Sequence, residues 1–71
     1  LRYTVGTEGR VRLTITAPDG RTIRTQEEGL RAVGTYSYGW DTTALAPGTY
    51  HCTLFVNDEL VVRKAVKVAG R

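Results

Sequence analysis

Three observations predict an all-β fold, a small antiparallel sandwich of six to seven strands. Apolar and polar residues alternate with period two over most of the chain, as half-buried strands require. Turn-forming groups separate these runs at short intervals. No stretch carries apolar residues at i, i+3, i+4 and i+7 over ten positions, and the eleven Thr and eight Val suit pleated surfaces better than helices.

The first strand is expected at Leu1–Val5, and Gly6 to Gly9 separates it from the second, Arg10–Thr16. There Val11, Leu13, Ile15 and Ala17 alternate with Arg10, Arg12, Thr14 and Thr16. Pro18-Asp19-Gly20 has the composition of a tight turn and leads into a third strand, Arg21–Gln26. Gly29 and Gly34 bracket a less regular stretch containing Leu30 and Val33. A fourth strand follows at Thr35–Trp40, with Tyr36, Tyr38 and Trp40 in one phase. Pro47-Gly48 has the order of a type II turn, and a fifth strand runs over Thr49–Val56. Its inward phase is Tyr50, Cys52, Leu54 and Val56. Asn57-Asp58 tolerates positive φ at both positions, which predicts a two-residue hairpin into Leu60–Val68.

That last run breaks phase. Leu60, Val62, Val66 and Val68 share a face with Lys64, while Val61 and Ala65 point the other way. A bulge near Arg63-Lys64, or partial cover on both faces, would reconcile the pattern.

With 71 residues the chain has room for one domain, residues 1–71, near the lower size at which an apolar core suffices. It starts at Leu1 and contains no Met, which predicts a processed or excised piece of a longer product. No apolar run approaches the roughly 18 residues that cross a bilayer as a helix. No internal repeat, linker or low-complexity segment is evident.

A single Cys forms no internal disulfide, and one Ser, one His and one Cys leave little material for a catalytic cluster. His51 and Cys52 are adjacent in a strand, so their side chains point to opposite faces. Cys52 shares the apolar phase and reads as a small buried residue. Ser37 and His51 both point away from that phase, but no nucleophile-elbow pattern surrounds Ser37. One His, one Cys and scattered carboxylates make no zinc set, and no cofactor is expected. Asp19, Asp41 and Asp58 lie at turns, where they satisfy backbone donors. The indole of Trp40 is expected in the core, with sugar stacking as its functional alternative. Phe55 opposes the apolar phase and is the exposed aromatic expected to contact another domain or subunit.

The net charge is +3, and eight of the ten cations are Arg. Arg2, Arg10, Arg12, Arg21 and Arg24 cluster in the first third. They read as a solvated face, or as a contact for an anionic partner such as a surface polysaccharide. Nucleic acid is disfavoured, because the cations are not interleaved with exposed aromatics and no helix-turn-helix or zinc-finger spacing is present.

Taken in order, these features resemble the small Ig-like modules at the C-termini of proteins exported by the type IX (Por) secretion system, and the Ig-like domain of the flagellar hook-capping protein. The resemblance runs from Leu1 to about Val68. It rests on Asp19-Gly20-Arg21, on the Gly34 to Trp40-Asp41 series, on Leu45-Ala46-Pro47-Gly48-Thr49-Tyr50 and on the closing Arg63-Lys64-Ala65-Val66-Lys67-Val68. The chain departs from that pattern at Pro18, at Ala65, where Met is common, and in the extension Ala69-Gly70-Arg71.

The resemblance implies a non-catalytic, secreted, surface-located sorting or attachment module read by export machinery. It places the signal in Lys64, Val66, Lys67 and Val68, with Gly48 and Tyr50 as the turn-and-strand element. Asp41-Thr42-Thr43 resembles a short O-glycosylation site of the same bacteria, though a plain turn is the commoner reading of such a stretch. Independently of the resemblance, a small sandwich has open edges, so terminal strands are expected to pair with protein partners. Repeated head to tail between identical subunits, such pairing gives a filament.

Overall fold

A computed structural model describes residues 1–40 and 42–69. Six strands form among them: β1 (Arg2–Val5), β2 (Gly9–Thr16), β3 (Thr22–Arg31), β4 (Gly34–Ser37), β5 (Gly48–Val56) and β6 (Glu59–Val68). No helix occurs among the described residues. β3-β2-β5-β6 make a four-stranded antiparallel sheet, and β1-β4 make a two-stranded one. The chain is therefore a small all-β sandwich with a wide layer and a narrow one.

The alternation of β2 and β5 creates the interface between the layers. Val11 pairs with Val56, Leu13 with Leu54 and Ile15 with Cys52, so the inward residues stand side by side on one face. All six are buried, Val11 with no exposed surface at all. The narrow layer covers them with Tyr3, Val5 and Tyr38, while Tyr36, Trp40 and Val62 pack at the periphery. Burying each such aliphatic side chain contributes about 1.5–3 kcal/mol, which makes this face the main source of cohesion.

The turns are built as their composition requires. The Ala17 carbonyl accepts from Gly20 N–H, and Asp19 Oδ1 accepts from Arg21 N–H at 3.0 Å. Asn57 and Asp58 take φ of 52° and 65°, the left-handed pair of a type I′ hairpin.

Four expectations need correction. The third strand does not stop at Gln26 but continues to Arg31. Consecutive Glu27 and Glu28 followed by Gly29 obscure its alternation. Gly29, at φ 78°, lies in a register shift against Val11 and Arg12, so the strand passes through a bulge instead of ending. The fourth strand ends at Ser37, although Tyr38 N–H still reaches the Leu1 carbonyl at 2.7 Å.

The turn before β5 does not place Gly48 in the left-handed geometry of about +80° that a type II turn asks for. Gly48 has φ 156°, and a Cβ there would meet Pro18 Cγ at 2.7 Å. Glycine is needed because a residue with a side chain rarely adopts this φ and because the two loops touch. Finally, the bulge in β6 sits at Val61, not near Arg63-Lys64. Leu54 pairs with Val62 and Phe55 with Leu60, which leaves Val61 as the extra residue. Leu60 thus turns outward beside Phe55, and Val62, Lys64, Val66 and Val68 keep the inward phase.

Candidate interaction site

β5 and β6 bring most of the candidate interaction residues together. β6 pairs with β5 from Gly48↔Val68 to Val56↔Glu59 and forms one margin of the wide sheet, so its other edge has no strand partner among the described residues. From Val62 to Val68 the pairing is free of register shifts. This stretch contains no Pro or Gly. It is a regular strand edge about seven residues long, open to an added strand, and it carries Arg63, Lys64 and Lys67, charges of the kind that guard sheet edges against indiscriminate pairing.

Side chains leave β6 in two directions. Val62, Val66 and Val68 are half-buried, and Val62 packs against the core cluster. Lys64 shares their phase and resolves the conflict by reaching across the layers, its Nζ donating to the Arg2 carbonyl at 3.1 Å. Arg63, Ala65 and Lys67 are exposed on the other face, opposite Thr53, His51 and Thr49. At the end of the strand, Lys67, Val68 and Ala69 meet Thr42, Thr43, Leu45 and Pro47 around an open groove of about 610 Å³.

Gly48 and Tyr50 belong to the frame of this region. The Tyr50 ring is buried, and its hydroxyl donates to the Ala46 carbonyl at 2.8 Å, closing the loop that precedes β5. Trp40 is half-buried and meets the Tyr50 ring edge-on at 6.0 Å between centroids. The indole therefore props the loop, in keeping with a core role. Gly34 opens β4, and Asp19-Gly20 forms the β2–β3 turn, all three remote from β6 in the sheet order. Asp41, and with it the Asp41-Thr42-Thr43 motif as a whole, lies outside the described residues, as do Gly70 and Arg71.

Phe55 faces outward as its phase requires but is not a bare platform. The Arg12 guanidinium lies 4.5 Å above its ring and bonds Asp58 Oδ1 at 3.0 Å. Large apolar side chains that do stand exposed are Leu1, Ile23, Leu30, Val33, Leu60 and Val61, the last four most fully. The sequence singled out neither Leu60 nor Val61 as a contact residue, because only the bulge at Val61 sets Leu60 opposite Phe55 and leaves Val61 unpaired.

Potential chemical groups are dispersed. Cys52 is buried on the inner face of β5, where burial raises its thiol pKa despite the opposing charges of Lys64 and the N-terminal ammonium. His51, next in sequence, points to the outer face. Ser37 lies on the narrow sheet in the phase opposite Tyr36 and Tyr38, so it faces away from the core on the far side of the sandwich from His51. Neither pairing can form in this fold. Tyr3 is the strongly perturbed group: burial, reinforced by its hydroxyl's 2.7 Å bond to Glu28 Oε1, pushes its pKa up to about 12. Its ring stacks on Tyr36 at 5.7 Å, and this is a packing cluster joining β1 to β3. Among the described residues no group of three His, Cys, Asp or Glu could hold a metal ion. No family model matches the chain, and neither a curated protein nor a solved structure does.

Proposed function

We propose that this chain is a non-catalytic Ig-like docking module of a secreted bacterial protein, acting like the type IX sorting domains its motif series resembles. The observation that carries the reading is the regular open edge of β6, which holds Lys64, Val66, Lys67 and Val68 on the margin of a rigid sheet. An extended segment of an export component pairs with such an edge through backbone hydrogen bonds, while side chains at alternate positions supply selectivity. The cell surface is the site of action on this reading, and the partners are the export machinery and the parent cargo domain.

The test is a reporter fused to residues 1–71 in a type IX-competent bacterium. Deleting Arg63–Arg71 abolishes export, and the double variant Lys64→Ala, Lys67→Ala, which leaves the backbone edge in place, reduces it. Unchanged export with the deletion contradicts the proposal.

A second reading, a subunit of an extracellular filament, is favoured by strand direction. Both margins of the wide sheet, β3 and β6, are open, and the directions alternate across it. A second copy translated along the sheet sets its β3 antiparallel to β6 and continues the ladder, an open head-to-tail contact. Sedimentation at increasing concentration tests it: growing assemblies support it, and a strict monomer at millimolar concentration rules it out.

A further inference from the structure

The outer face of the wide sheet, opposite the core, is built as a shallow cationic trough. On β2 the outward positions are Arg10, Arg12, Thr14 and Thr16, and on β5 they are Thr49, His51, Thr53 and Phe55. On β6 they are Leu60, Arg63, Ala65 and Lys67. These three strands present four full positive charges on that face and no carboxylate. The nearest acids are Asp58 at the hairpin, already paired with Arg12, and Glu27 on the β3 margin.

The cations stand on the two flanking strands, while the central strand β5 carries Thr49, His51 and Thr53 between them. Flanking strands two places apart are separated by about 10 Å, and Arg63 and Lys67 lie about 13 Å apart along β6. Thr53 is almost fully covered by its neighbours, at 6% exposure, so the polar groups left accessible between the cations are those of Thr14, Thr16, Thr49 and His51. In register, Arg12 and Leu60 flank Phe55, Thr14 and Arg63 flank Thr53, and Thr16 and Ala65 flank His51. The cations therefore run diagonally from Arg10 and Arg12 at the hairpin end of β2 to Arg63 and Lys67 on β6, and an extended polymer chain crossing β5 on that diagonal meets them in turn.

We propose that this face binds an acidic polysaccharide, with carboxylates of successive sugars meeting Arg10 on one margin and Arg63 and Lys67 on the other, while Arg12 stays paired with Asp58. Charge complementarity selects a polyanion, and two features select polysaccharide over nucleic acid. Single-stranded nucleic acid needs exposed rings for base stacking. The one ring on this face, Phe55, is capped by Arg12. The Thr hydroxyls, in contrast, match the alternating donors and acceptors of a sugar chain. Lys67 serves this reading as well as the export reading, and titration with a polysaccharide reads sugar binding on the sheet face and not export.

The probe is fluorescently labelled polygalacturonate, titrated with the full chain at low ionic strength and again at 0.3 M salt. Saturable binding that weakens with salt is expected, with neutral dextran not competing. The charge-reversed pair Arg63→Glu, Lys67→Glu is expected to weaken binding at least tenfold, and Arg10→Glu on the opposite margin several-fold. Arg21→Glu, Arg24→Glu makes the same charge change away from the trough and is expected to shift affinity less than twofold. Circular dichroism melts establish that each variant is folded. The proposal is overturned if the wild-type chain shows no saturable binding. It is equally overturned if the remote pair loses as much affinity as the trough pair, or if a single-stranded DNA oligonucleotide competes better than unlabelled polygalacturonate.

Discussion

Lys64 on β6 donates its ammonium to the Arg2 carbonyl of β1 at 3.1 Å, a bond that joins the margin of the wide sheet to the narrow layer. Lys64 stands in an apolar phase between Val62 and Val66, so its stem covers apolar surface while its charge reaches a backbone acceptor. Lys64→Met keeps most of the stem and removes the donor. It is expected to cost about 1 kcal/mol, or roughly 4–8 °C in Tm for a domain of this size. Lys67→Met, on the solvent face, is expected to leave Tm within about 2 °C, since exposed substitutions seldom exceed 0.5 kcal/mol. Thermal denaturation of the two variants side by side checks this.

Gly48 and Pro18 lie against each other where the β2–β3 and β4–β5 loops meet. Because a Cβ on residue 48 would approach Pro18 Cγ to 2.7 Å, Gly48→Ala forces one loop to move. The expected loss is about 1–3 kcal/mol, the usual range for overpacking. Pro18→Ala in the same chain removes the obstructing Cγ and recovers part of the loss. Urea titration of the two single variants and the double variant measures the coupling. Additive effects would show that the loss comes from the φ of 156° alone and not from the close approach.

The pKa of Tyr3 makes stability fall in alkali. Its phenol is held neutral by burial and by the bond to Glu28, with a folded value of about 12 against an ordinary 10. A raised acid binds its proton more tightly in the folded chain. Its contribution is complete below pH 10 and is lost as pH climbs from 10 to 12. Tyr3→Phe removes both the hydrogen bond and this titration. Wild type is expected to exceed Tyr3→Phe in stability at pH 8, and the gap to shrink steadily above pH 10, read by urea denaturation across that range.

Cys52 is shielded by the narrow layer, and burial raises its pKa, so its thiolate is scarce and inaccessible in the native state. Thiol labelling at pH 8 is expected to be slow in buffer and complete within minutes in 6 M guanidinium. Rapid labelling of the folded chain would mean that the sandwich opens at β5.

The fold was largely readable because β2 and β5 alternate strictly, and both face one core. The hairpin at Asn57-Asp58 was equally plain, since few residue pairs accept φ of 52° and 65°. Strand length in β3 was not readable: Glu27, Glu28 and Gly29 look like a loop, and only pairing with β2 keeps them extended. The β6 bulge escaped for a similar reason. Leu60, Val61 and Val62 are all apolar, so nothing in the residues themselves says which is the extra one, and the pairing with Leu54 and Phe55 decides it. Of the interaction residues, the sequence located the strand that carries them. It could not indicate that Tyr50 is committed to the Ala46 carbonyl, which depends on how the loop before β5 folds back, or that Arg12 covers Phe55, which depends on the pairing of β2 with β5.

Backbone amide exchange along β6, followed residue by residue by NMR, tests most directly whether its outer edge is open. Amides directed at β5 are held in the ladder and those directed outward meet water, so protection is expected to alternate from Val62 to Val68. Uniformly strong protection in the isolated chain would mean that the edge is already occupied, and uniformly fast exchange that β6 is not part of the sheet; either result contradicts a docking strand held ready at the margin of a stable sandwich.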